Sequence, residues 1–67
     1  MDIYYVTITR SISHSCESYD LDFFMNSKQA QDDFIERFHQ YEDESLNEIK
    51  KIGEAYFNES GMLVKKK

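Results

Sequence analysis

Hydrophobic and polar positions follow different periods along this chain, and the period marks the kind of element each segment forms. Residues 2–10 are almost wholly β-branched and aromatic, the composition of a strand. Side chains alternate across a strand, so Tyr4, Val6 and Ile8 fall on one face and Ile3, Tyr5 and Thr7 on the other. Apolar residues on both faces predict a central or doubly covered strand. Residues 11–18 read as a serine-rich loop. Over residues 19–25, Tyr19, Leu21, Phe23 and Met25 alternate with Asp20, Asp22 and Phe24, which predicts a second strand, antiparallel to the first, with the two aspartates in water. The period then lengthens. Asn26 and Gln29 have the spacing of a capping box, and a helix is expected over about residues 27–41. Ala30, Phe34, Phe38 and Tyr41 share one arc of it, with Ile35 on the flank, while Asp32, Glu36, His39 and Asp43 point the opposite way.

Beyond Glu42 two readings compete. Ser45 and Glu48 have capping-box spacing, and Leu46, Ile49 and Ile52 recur every third residue, as on a second helix. Against this, Gly53 disfavours a helix interior. Ala55-Tyr56-Phe57, then Asn58-Glu59-Ser60-Gly61, then Met62-Leu63-Val64 has the form of a hairpin with a four-residue turn. The preferred reading is a single α+β domain spanning residues 1–67 in the order β-β-α-β-β, its last strands at about 51–57 and 62–65. The alternative is β-β-α-α. One helix covers one sheet face. With Tyr4, Val6, Ile8, Leu21, Phe23, Ala55 and Phe57 beneath it, the other face would show Ile3, Tyr5, Phe24, Ile52 and Tyr56, an apolar patch suited to a homodimer interface.

Composition sharpens this picture. The chain has 67 residues and one cysteine, so no intrachain disulfide supports its small core. Five Phe and five Tyr supply apolar area instead. No apolar run reaches the ~20 residues of a membrane span, and the N-terminus lacks signal-peptide character, so a cytoplasmic protein is expected. Net charge is −5 and unevenly spread: residues 17–48 hold ten acids against two bases. Such a field disfavours direct nucleic-acid binding and favours a basic protein surface.

Candidate chemistry is sparse. Ser13, His14 and Cys16 share the first loop, but nothing around them provides an oxyanion site or a group to orient the imidazole. Glu36 and His39 have the spacing used in bundle metal sites, without the other helices such sites need. Two glycines cannot build a phosphate-binding loop, and Lys65, Lys66 and Lys67 read as a frayed tail. No catalytic set, metal or cofactor is therefore expected.

What remains is a row of carboxylates. Asp20, Asp22, Asp32, Glu36 and Asp43, with Glu42 and Glu44 nearby, would present an acidic face that imitates nucleic-acid phosphates to a basic groove. In size, charge and lack of catalytic motifs the chain resembles the small acidic proteins that bacteriophages direct against host defence or transcription enzymes, acting in the host cytoplasm. The expected function is a non-enzymatic inhibitor or regulator of a basic, nucleic-acid-binding protein. The alternative is a small-ligand binder, a dimer holding a nucleotide-like molecule between Tyr5, Phe24 and Tyr56.

Overall fold

The computed structural model describes residues 2–12, 14–43 and 45–67. Strands β1 (Ile3–Ser11) and β2 (Ser18–Met25) form a hairpin, followed by helix α1 (Lys28–Tyr41) and strands β3 (Asn47–Phe57) and β4 (Leu63–Lys65). The order is β-β-α-β-β in an α+β fold. All pairings are antiparallel and the sheet order is β2-β1-β3-β4, so β1 is central and β2 and β4 are the edges.

Each boundary has a local cause. Helix α1 is capped by Ser27, whose hydroxyl accepts from the Ala30 N–H at 3.0 Å, one residue later than the expected Asn26 cap. The chain leaves the helix at Glu42, whose N–H still bonds the Phe38 carbonyl. Asp43 then holds the next turn: its carboxylate accepts from both the N–H and the hydroxyl of Ser45, and its carbonyl accepts from the N–H groups of Leu46 and Asn47. Ser45 is thus a turn residue rather than the cap of a second helix. In the last hairpin the Asn58 carboxamide accepts from the N–H groups of Ser60 and Met62, and Gly61 takes the left-handed φ of 80° that the turn requires.

The three-residue spacing of Ile49 and Ile52 is explained by a β-bulge, not by a helix. Thr7 pairs with Lys51 but Ile8 pairs with Ile49, leaving Lys50 as an extra residue in β3. The insertion keeps Ile49 and Ile52 on the same face although they are three residues apart. It also releases Lys50 to the opposite face, where it reaches Asp20.

Under the helix, Val6, Ile8 and Phe38 form the buried cluster, with Met25, Phe34, Ile35 and Ile49 packed against it. Phe34 meets Phe23 with ring centroids 5.1 Å apart. The inward stripe is turned from the expected arc: Gln31, Phe34, Ile35 and Phe38 face the sheet, whereas Tyr41 is 80% exposed. Gln31 explains the rotation. Its side-chain amide is buried and donates to the backbone carbonyls of Tyr5 and Gly53, 2.9 Å each, pinning the helix across β1 and β3. Its carbonyl oxygen accepts from the Lys28 ammonium at 2.9 Å.

Register also corrects the face assignment of β3. Ile3 pairs with Ala55 and Tyr5 with Gly53, while Val6 pairs with Ile52. Ala55 and Phe57 therefore lie on the face away from the helix, and Ile52 and Tyr56 on the helix side. Because α1 packs against β1 and β2, the helix side of β3 is only partly covered and Ile52 stays half exposed.

The face without a helix is closed by the sheet itself. Lys65, on edge strand β4, reaches Asp22 on edge strand β2 at 2.9 Å and Thr7 Oγ1 at 3.3 Å, while Thr7 donates to the same Asp22 oxygen. Its ammonium lies 5.0 Å from the Tyr5 ring centroid. The Phe24 ring stands 6.1 Å away, and a Cβ at Gly53 would come within 3.0 Å of the Tyr5 ring. Tyr5 is fully buried as a result, not an exposed interface residue.

Replacing Gln31 with Leu preserves volume but removes two bonds to buried carbonyls. We expect a loss of about 1–3 kcal/mol, read as a lower urea midpoint with an unchanged slope.

Candidate protein-binding surfaces

The acidic residues singled out by sequence fall into two groups on opposite sides of the sheet. Asp20 and Asp22 extend over the helix-free face, each on a threonine of β1 and a lysine from the far side of the sheet. Asp20 accepts from Thr9 at 2.8 Å and from Lys50 at 2.8 Å. Asp22 accepts from Thr7 at 2.6 Å and from Lys65 at 2.9 Å. The lysine and threonine bonds hold the Asp20 carboxyl below the ordinary aspartate range; for Asp22 the threonine bond is the larger cause and the lysine bond the second. Asp43, at the end of α1, is lowered by its two bonds to Ser45. Each of these three carboxylates takes part in the chain's own structure.

The second group lies along the helix. Asp32 has only a loose i,i+4 contact of 3.3 Å with Lys28, both side chains about 60% exposed. Asp33 and Glu36 are exposed and make no ion pair among the described residues. Glu42 accepts a long 3.5 Å bond from Asn47. Glu44 and Ser13, which the sequence reading placed in the acidic row and the loop cluster, lie outside the described residues.

The proposed sheet-face trio does not assemble. Tyr5 and Phe24 are neighbours, but Tyr56 points to the helix side, and Tyr5 has no free surface to offer a ligand. The helix-free face instead carries a shallow apolar depression of about 480 Å³ between Ile3, Phe24, Phe57 and Leu63.

One feature that sequence reasoning missed is a groove of about 630 Å³ between α1 and β2, floored by Ile8, Phe23, Phe34 and Phe38 and rimmed by Asp33, Arg37, Tyr41 and Glu42. A sequence signal for it was Tyr41, an aromatic on the helical period one turn past the last core residue.

Elsewhere, His14 and Cys16 are exposed in the first loop, with Cys16 a free thiol. His39 packs edge-on against Phe38. Among the described residues, no group of three or more His, Cys, Asp and Glu side chains is placed to hold a metal ion, and no helix is long and apolar enough to cross a membrane.

The lowered carboxyls give stability a definite pH dependence. A depressed pKa adds stability that is complete above the unfolded aspartate value, 3.8, and lost as pH falls through the lower folded values. The melting temperature should therefore fall on acidification below 3.8, and Asp22→Asn should flatten that fall while lowering stability near neutrality. Melting curves from pH 2 to 7 check both; an equally steep acid limb in the variant would show that Asp22 is not its source. No known family model matches this sequence, and no curated protein or solved structure matches it.

Proposed function

We propose that this chain is a non-enzymatic protein-binding module, an inhibitor or regulator that sets the acidic outer face of α1 against a basic surface, such as the groove of a nucleic-acid-binding protein. The observation that carries this reading is the difference between the two carboxylate groups. Asp20, Asp22 and Asp43 each accept hydrogen bonds from within the chain, whereas Asp33 and Glu36 project from the helix in no ion pair among the described residues and Asp32 is held only loosely. The acidic surface thus narrows to Asp32, Asp33 and Glu36, about one turn of the helix.

Charges at a protein rim set encounter rate and selectivity, so binding of this kind weakens with salt. Asp32→Lys with Glu36→Lys leaves the inward stripe untouched and should preserve the fold, as judged by circular dichroism. Recovery of basic proteins on the immobilised chain should drop at least tenfold in the double variant and fall with added salt for the parent. Equal recovery by both forms would overturn the helix-face reading.

A further inference from the structure

We propose that the outer edge of β2 is a docking site for an extended peptide segment in which Lys or Arg alternates with apolar residues, added to the sheet as a fifth strand. This surface is separate from the outer face of α1, and the proposal does not depend on that reading.

The backbone comes first. Strand β2 is an edge of eight residues, about 25 Å of chain, and seven of the eight are exposed. In an antiparallel ladder, directly bonded pairs alternate with unbonded ones. The bond from the Ile12 N–H to the Glu17 carbonyl makes that pair a bonded one, and the Ser11 N–H points the other way, to Leu46. Counting along the register, the backbone groups of Tyr19, Leu21 and Phe23 face β1, and those of Asp20, Asp22 and Phe24 face outward. Those outward donors and acceptors have no neighbouring strand, which is the template for strand addition.

The two faces of this edge then specify what the added strand carries. On the helix-free face, Asp20 and Asp22 are the outer ends of two lysine–aspartate pairs whose cations lie inward, from Lys50 and Lys65. Each pair turns its negative end to the edge, and Asp22 Oδ2 has no hydrogen-bond partner among the described residues. Cationic side chains opposite these positions meet unlike charge from the open side. On the helix side, Tyr19, Leu21 and Phe23 are all more than a third exposed and lead into the groove beneath Tyr41. Apolar side chains of the added strand fall on that side because strand side chains alternate.

A second copy of this chain fits poorly in the two registers that overlap nearly the whole strand. Two-fold antiparallel pairing of β2 about Leu21 sets Asp20 against Asp22 twice, and pairing about Asp22 sets that residue against itself. Like charges directly opposite are destabilising.

The test is an octapeptide of alternating Lys and Val, with two controls: four Lys followed by four Val, and the alternating peptide N-methylated at every second residue. With the intact protein we expect saturable binding by the alternating peptide and at least tenfold slower hydrogen exchange at the Asp20, Asp22 and Phe24 amides. Affinity should fall at least tenfold for the N-methylated peptide and for Asp20→Asn with Asp22→Asn, the variant's fold being checked by circular dichroism. Equal binding of the block peptide, which shares the charge but not the pattern, would overturn the proposal. So would exchange at those three amides that the peptide leaves unchanged, or protection already present in the free protein through self-pairing.

Discussion

A single lysine lets one helix suffice for a two-sided sheet. Lys65 spans from one edge strand to the other, bonds Asp22 and Thr7, and lies over the ring of Tyr5. The face that no helix covers is thereby curled over its own central strand, and the Tyr5 ring on it is fully buried. The contact is partly exposed, so its Coulomb energy is modest. Its larger effect is geometric. It fixes the distance between β2 and β4, and with it the curvature on which the rest of the packing depends.

That curvature is matched on the other side by a polar contact. Gln31 takes a central position in the helix stripe where an aliphatic residue would be expected, and spends both amide hydrogens on carbonyls of neighbouring strands. A small core has little apolar area to hold a helix at one angle, and directional bonds supply what area does not. Gly53 belongs to the same device. Its carbonyl receives Gln31, and its missing side chain leaves room for the Tyr5 ring. Tyr5, Gly53 and Gln31 form a through-sheet stack that ties the two layers together.

How much of this was legible in the sequence depended on range. Strand alternation in Tyr19 to Met25, the helical period of Phe34 and Phe38, and the Asn58 to Gly61 turn are local patterns, and each element formed where its pattern lay. Features that require two segments to meet were not readable. Nothing in the local spacing of Gln31 tells that it will find two carbonyls 22 and 26 residues away. The three-residue rhythm of Ile49 and Ile52 has two causes, a helix or a bulged strand, and only the register with β1 separates them. The same register decided on which side Tyr56 lies. Asp20 and Asp22 were correctly placed on the solvent side of their strand, but their lysine partners come from segments 30 and 43 residues away.

The bulge at Lys50 has a consequence for how this chain tolerates changes in length. Elsewhere in the sheet, loss of one residue would turn every later side chain of that strand over. Here the surplus residue is the one whose omission restores the regular alternation: without it, Ile49 and Ile52 stand two apart and keep their present side. The Asp20 clasp is thus carried by an insert that the ladder itself does not need. A shortened version would trade one surface cation for a straighter strand while leaving the layer beneath the helix intact.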